Sequence, residues 1–460
     1  MHTQNHSFVN VNPQYRYALP DWKKCADCFS GEREIKSSGE LYLPKTEGQL
    51  ADSRFGQKRY EAYKERAVYY NYFASTVLSM LGLMHREPPE AIELPERIRS
   101  LHDRCSSDGL SLAETLRRIN MFQLVFGRCG ILLDIPGSDT SPNAVPVMSI
   151  YSPDRIPDWN TGSFSDSDLN WVILDESGFE HESSGWNFRR KYRICALSPD
   201  GEYYTRVLDQ EEYSVFDPLS YIPTEEEYPL VRGKRLTRIP FVFANAADIC
   251  PDVQKPPLLP LANLCLAIYR GEADYRHALF MQAQSTLFLK GFHLDDPPMM
   301  GAGNYIHTES PDASGSFLEI SGNGLQEMRS AQNDLHSAAK EMGISLDGFR
   351  SNESGESLKT RMEVKTSLIR TIAETGASAI RFLLRTAAEW CSADPEQIIF
   401  SPNMDFSESG VAASEVRNLW DAKSAGLPLS SRSIHDWLRK NDFTDIPYDQ
   451  EMEDIRQESR

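Results

Sequence analysis

Cys25 and Cys28, three positions apart, are the first side chains whose spacing could do chemistry, since paired thiolates in Cys-x-x-Cys can share a metal ion or exchange as a redox couple. A closed zinc site needs four ligands, and no second Cys-x-x-Cys or His-x-His is present; His102 with Cys105, or His2 with His6, would have to be recruited by accident of folding. Two free cysteines, no metal and no cofactor is the expectation. Gly355-Glu356-Ser357-Leu358-Lys359-Thr360 has the composition of a phosphate loop, but that motif places lysine directly after glycine and follows a strand, whereas a polar segment leads in here. It reads as a helix start. Gly-x-Ser-x-Gly, His-Glu-x-x-His and Gly-x-Gly-x-x-Gly are all absent, which points away from an enzyme and leaves only an unannounced site among ten histidines and many acids as the catalytic alternative.

Charge offers more. The 460 residues carry a formal net charge of -19, which argues against a surface that grips nucleic acid throughout, because affinity for phosphate comes from Lys and Arg displacing counterions. An acidic wall would instead hold DNA loosely, with repulsion screened beyond roughly 8 Å at physiological salt. Asp209 to Glu227 contains no Lys or Arg, and the cations Arg232, Lys234, Arg235 and Arg238 follow it. The patch could bind DNA or the acidic stretch of a neighbouring subunit, or it is a solvated hairpin edge; of the first two, the inter-subunit contact is the expectation.

The elements that must position these residues follow from periodicity. With 40% apolar residues the chain can bury a sizeable core, and its eight scattered cysteines read as reduced thiols. Phe73 to Met84, the longest apolar stretch, is about half the ~20 residues that span a bilayer, and the first residues lack a secretory pattern, so a soluble cytoplasmic protein without membrane contact is expected. Residues 1–56 read as an extended polar arm. From Gln57, Tyr60, Tyr63, Ala67, Tyr70, Phe73, Val77 and Leu81 mark one amphipathic helix, stopped by Pro88-Pro89. Ser111-x-x-Glu114 is a capping box that opens a second helix. Strands are expected over Ile131–Ile135, Val147–Tyr151, Asn170–Asp175, Tyr192–Leu197, Tyr203–Leu208 and Ile239–Phe243. A long helix should run from Pro257 to Lys290, then a loop-rich acidic module from Gly291 to Gly324 with short strands near Asn304–Thr308 and Ser316–Ile320. Helix 325–342, a glycine-bearing loop, a very long helix from Ser357, and two short helices, Val411–Ser424 and Ser431–Lys440, complete an α+β chain that ends in an acidic tail.

This order resembles the portal proteins, or head-to-tail connectors, of tailed bacteriophages. The pieces that carry the resemblance are the Tyr60 to Asn71 run, Phe126-Gly127-Arg128-x-Gly130-Ile131 leading to Asp134-x-Pro136, Ile239-Pro240-Phe241 and Pro256-Pro257-Leu258. Leu287-Phe288-Leu289-Lys290-Gly291 and Ser354-Gly355-x-Ser357-Leu358 add to them. The resemblance covers roughly residues 57–440 and implies an α/β wing over 57–250, stem helices over 257–290 and 325–342, and a clip over 291–324. A tunnel loop over 343–357, a long wing helix over 358–391 and a short helical crown over 392–460 would follow the N-terminal arm, 1–56. It further implies a homo-oligomeric ring of about twelve subunits at one capsid vertex of a virion, assembled in the host cytoplasm, with double-stranded DNA passing through. The terminase motor, the major capsid protein and a tail adaptor would be its partners.

In that scheme Asp295, Asp296, Glu309 and Asp312 of the clip face motor or adaptor, and Phe349, Arg350, Ser351 and Asn352 of the tunnel loop line the DNA channel. Arg350 is the only cation between Lys340 and Lys359, and it either touches phosphate during translocation or is a solvated loop arginine. A head-to-tail adaptor shares the ring habit and is the alternative, but adaptors are usually much shorter.

Overall fold

Asn12 opens the first helix by accepting a hydrogen bond from the Gln14 amide on its side-chain oxygen (2.8 Å), with Pro13 in the first turn where no amide donor is needed. The computed structural model describes residues 11–134, 145–161, 169–182, 185–210, 221–223, 225–231, 234–283, 286–291, 310–318, 324–343, 355–404, 406, 413–440 and 443–458. Helix α1 (Pro13–Ser30) buries Tyr15, Ala18, Trp22, Cys25 and Cys28, and α2 (Glu32–Ser37) buries Ile35. The extended arm expected over 1–56 is thus corrected from Pro13 onward: these residues build a helical layer. Turn-forming residues masked a three- and four-residue repeat of buried positions, each large apolar side chain contributing about 1.5–3 kcal/mol.

Helix α3 (Glu47–Ala51) starts in a capping box of Thr46 and Gln49, and α4 (Gly56–Arg66) crosses it so closely that a Cβ on Gly56 would overlap the Gln49 carbonyl. Helix α5 (Tyr72–Met84) follows after a break. The single helix expected from Gln57 is therefore two. Ala67 turns extended, and Asn71 caps a new helix by accepting from the Ala74 amide (2.9 Å), which favours restarting over continuing.

After β1 (Ala91–Glu93) comes α6 (Leu112–Phe126), whose Ser111–Glu114 capping box forms as expected, the Ser111 amide donating to Glu114 Oε2 (2.9 Å). Gly127 ends it in the left-handed region, φ 81°, and β2 (Arg128–Asp134), β3 (Val147–Tyr151), β4 (Asp158–Thr161) and β5 (Leu169–Asp175) follow. Next are β6 (Gly178–Glu182), β7 (Gly185–Arg189), β8 (Lys191–Leu197), β9 (Tyr203–Gln210) and β10 (Tyr221–Pro223). The short β11 (Leu230–Val231) and β12 (Lys234–Arg235) precede β13 (Phe241–Asn245). A three-stranded sheet has the order β13-β2-β3 and a five-stranded one β10-β9-β8-β5-β4, all antiparallel.

Helix α7 (Leu259–Gln282) leads into β14 (Thr286–Lys290), which pairs antiparallel with β15 (Ser314–Leu318). The helix expected to reach Lys290 therefore stops at Gln282. Thr286-Leu-Phe-Leu-Lys, a short apolar run rich in strand formers, gains a partner strand instead, and Gly291 turns the chain at φ 77°. The strand expected near Ser316 is present; Asn304–Thr308 lies outside the described residues. Helix α8 (Leu325–Met342), the 37-residue α9 (Gly355–Cys391) and β16 (Ile399–Ser401), which pairs with β1, complete the first of two units, residues 1–404.

The principal core lies where α9 and α6 pack on the three-stranded sheet: Leu116, Ile119, Ile131, Leu133, Val242, Ile380, Leu383, Leu384 and Phe400 are all buried there. Gly376 lets α9 approach α6, since a Cβ would crowd Asn120, Leu116 and Gln123. Polar groups in this seam satisfy one another: Asn120 Nδ2 donates to the Ile372 carbonyl (3.1 Å), and Gln123 Nε2 donates to Thr375 Oγ1 (2.9 Å) and to the Asn245 carbonyl (2.7 Å). The second unit, residues 405–460, holds α10 (Ala413–Ser424), α11 (Ser431–Lys440) and α12 (Tyr448–Glu458). Its acidic tail is helical, with Tyr448 edge-on to buried His435.

Candidate assembly and channel surface

Helix α7 changes character along its length. Leu261, Cys265, Ile268 and Tyr269 are buried at three- and four-residue spacing against the N-terminal helices, as an amphipathic stripe predicts. Further on, Leu279, Phe280 and Met281 are 39, 36 and 40% exposed. Three consecutive helical residues spread over ~200° of circumference, so one neighbouring helix cannot cover them.

At the boundary between these halves α8 is fastened by close approach and charge. Gly271 leaves room for the buried Gln332, whose amide would overlap any Cβ there. One turn on, the buried carboxylate of Glu272 accepts from Arg276 Nε (2.8 Å) and lies 3.7 Å from His336 Nε2, while His336 Nδ1 meets the Tyr72 hydroxyl (2.9 Å). A buried acid is tolerable only with such partners, because desolvation otherwise outweighs the attraction. Besides Gln332, α8 buries Ala339 alone, and the rest of it presents mixed polar residues.

The β14–β15 hairpin carries Leu287, Leu289 and Phe317 on one face and Phe288 on the other, with Phe288 and Phe317 about half exposed. A two-stranded sheet with solvent on both faces is marginal by itself.

The residues expected to act on partners are placed unevenly. Phe349, Arg350, Ser351 and Asn352 lie outside the described residues, between the ends of α8 and α9; so do Asp295, Asp296, Glu309 and Arg232. Asp312 is exposed in the turn before β15, and Lys234 is in β12 opposite Val231. Arg235 forms an ion pair with Glu202 and sits over the Tyr228 ring (4.3 Å). Arg238 donates to Thr386 Oγ1 (2.9 Å), approaches Glu389 (3.5 Å) and lies over Phe382 (5.0 Å). Arg235 and Arg238 thus have separate anchors within their own chain, one on the sheet and one on α9.

Three sequence pieces that looked independent converge. Gly127 packs on Pro256, Gly130 leaves space for the Phe241 and Ile156 side chains, and Arg128 between them is fully buried over Phe243 (3.8 Å) and Trp159 (5.1 Å). Arg128 donates to the Pro251 carbonyl (3.1 Å), and burial pulls its guanidinium down to about 9. The signal available in the sequence was the Gly-Arg-x-Gly spacing, which marks close approach rather than chemistry.

Cys25 and Cys28 are both buried on α1, with Cys28 Sγ 3.8 Å from the Ala262 carbonyl of α7. Burial raises the Cys25 thiol well above its usual range and pushes Cys28 up to about 12 and nearby Cys265 up to about 11. They are core thiols. Among the described residues no group of three or more His, Cys, Asp or Glu is arranged to hold a metal ion, and no helix is long and apolar enough to cross a membrane.

Residues 257–391 match a family described as "Domain of unknown function (DUF4055)", a span that takes in α7, the hairpin, α8 and α9. No curated protein matches the chain. Among solved structures, the chain is similar to a chain in the neck of a native GTA particle computed with C12 symmetry, at 14% identity and a TM-score of 0.36, covering 80% of this chain and 90% of that one. A chain in the virion of a native gene transfer agent particle is similar at 13% identity and a TM-score of 0.39, over 80% and 89%. The neck of an empty GTA particle, computed with C6 symmetry, holds another at 13% and 0.38, over 80% and 90%.

Proposed function

We propose that the chain is a structural subunit of a phage-like particle and, more specifically, a portal: a protein whose copies join side by side into a ring of about twelve at one capsid vertex. Double-stranded DNA passes through that ring during packaging and ejection, and the terminase motor, the major capsid protein and a tail adaptor dock on it. The observation that carries this reading is the partly exposed apolar end of α7 at Leu279, Phe280 and Met281, followed in the chain by a hairpin that leaves its own Phe288 and Phe317 half exposed. Such surfaces favour cover from identical neighbours, and a head-to-tail interface repeated around a ring closes on itself.

In this assignment α7 and α8 form the stem and the hairpin belongs to the clip, with Asp312 facing motor or adaptor. Residues 57–250 and 358–391 form the wing, and 392–460 the crown. An inter-subunit role for Arg232, Lys234, Arg235 and Arg238 has to act beside the ties of Arg235 to Glu202 and of Arg238 to Glu389. Electron microscopy and mass measurement of the purified protein test the proposal: rings with a central hole are expected, and a uniform monomer at micromolar concentration across a range of salt would remove it. Rings carrying Arg350→Ala test the tunnel loop, with altered DNA retention and intact assembly as the expected result; unchanged retention would leave Arg350 a solvated arginine.

A further inference from the structure

Strands β5 and β8 pair with each other up to Asp175 opposite Tyr192. After a break at Glu176 and Ser177 the pairing resumes in the same register, Gly178 opposite Arg189, as β6 and β7. The hairpin therefore prolongs the five-stranded sheet as an arm roughly 17 Å long, at about 3.4 Å per residue. Its base is pinned where Ser177 Oγ accepts from the Lys191 amide (3.0 Å) and the Ser177 carbonyl accepts from Arg155 Nη1 (2.7 Å).

Register decides what the arm presents. Phe179 stands opposite Phe188 and His181 opposite Trp186, so all four rings share one face, each pair meeting edge-on at 5.2 Å. Phe179 is 68% exposed, Trp186 69% and Phe188 44%. With 150–250 Å² per aromatic side chain, this face offers on the order of 400 Å² of apolar surface, large enough to mark an interaction site. Yet it is about half of the ~800 Å² each partner contributes to a stable interface. The arm suits a contact between bodies already held together elsewhere, which is the situation of neighbouring copies in a ring.

Charge selects the place on the neighbour. Two copies at -19 repel each other, so an approach is favourable where the receiving surface is locally cationic. The tip between α3 and α4 has that character: Arg54, Lys58 and Arg59 stand there with Asp52, which pairs with Arg59 (3.0 Å), while the acids Glu47 and Glu61 flank it on the two helices. Leu50 is 65% exposed there, and Phe55 is exposed beneath the Arg54 guanidinium (4.9 Å). Electron-rich ring faces attract Lys and Arg, so an aromatic arm and a cationic apolar corner are matched surfaces.

We propose that the aromatic arm of one copy seats on the α3–α4 corner of the next, a head-to-tail clamp that takes its partner from the ring reading above. The test co-expresses two variants of a Cys250→Ser background, one carrying Trp186→Cys and the other Leu50→Cys, and applies mild oxidation. Both substituted positions are exposed, so the fold should tolerate them. A cross-linked dimer is expected from the pair and from neither variant alone, together with loss of ring yield in a Phe179→Ala, Trp186→Ala protein. Rings of normal mass that give no mixed cross-link overturn the clamp and leave the ring standing; a monomer without cross-link overturns both.

Discussion

From Leu261 to Ala273, α7 lies under Tyr69, α1 and α5 and buries its apolar stripe within its own chain; from Leu279 to Met281 the same helix carries apolar residues that stay 36–40% exposed among the described residues, with the Arg66 guanidinium over the Phe280 ring (4.1 Å). The dividing line falls at Gly271, Glu272 and His336, where α8 is fastened to the body. The inner half is the more apolar, with Arg270 its one charge from Leu259 onward, whereas Glu272, Asp274 and Arg276 lie at or beyond the dividing line. The halves differ also in what stands opposite: the inner half contributes to the stability of one chain, and in the ring proposed above the outer half contributes to the association of several.

That contrast can be broken most severely from the inner side. Trp22→Ala, which empties the layer covering α7, should cost about 3–5 kcal/mol in denaturant unfolding, and an unchanged midpoint would remove the N-terminal helices from the core. A somewhat smaller effect should come from His85, at the end of α5, where burial lowers the imidazole from 6.5 to about 4 even though its Nε2 bonds Asn120 Oδ1 (3.0 Å). The folded state binds the proton less readily than the unfolded one. Stability should therefore be flat above about pH 6.5 and fall by up to about 3 kcal/mol towards pH 4. The difference between the native chain and His85→Gln, measured across that range, isolates this contribution; parallel curves would contradict it. On the outer side, Phe317→Ser, at a position 55% exposed, should shift monomer stability by only about 0.5 kcal/mol while abolishing ring formation. A large loss of monomer stability would mean that the outer half is covered by its own chain after all.

Much of this division was legible in the sequence. Ser111 and Glu114 announced α6, the alternation in Val147–Tyr151 and Tyr192–Leu197 announced β3 and β8, and α8 and α11 kept the bounds their periodicity implied. What escaped depended on tertiary partners. The N-terminal layer was hidden because Pro20 and many polar residues weaken the helical signal, and its stripe is apolar only through Tyr15, Ala18, Trp22 and Cys25. The end of α7 was misplaced because Thr286–Lys290 suits either period until Ser314–Leu318 is known to lie opposite. The aromatic arm left a signal that went unread: Phe179, His181, Trp186 and Phe188 alternate with polar residues on either side of Ser183-Ser184-Gly185.

Helix α9 has one more consequence. It runs without interruption from Gly355 to Cys391, and Gly355 lies about 21 Å along the helix from Ile369, which is buried in the body. A rod seated in this way is a lever. A tilt of about 5° where it enters the core displaces its beginning by about 2 Å, and a force applied there returns to the β13-β2-β3 sheet as torque. The Gly376 contact and the Asn120–Gln123 hydrogen bonds are the bearing on which that torque acts, and because they are close-packed, it would be transmitted rather than absorbed.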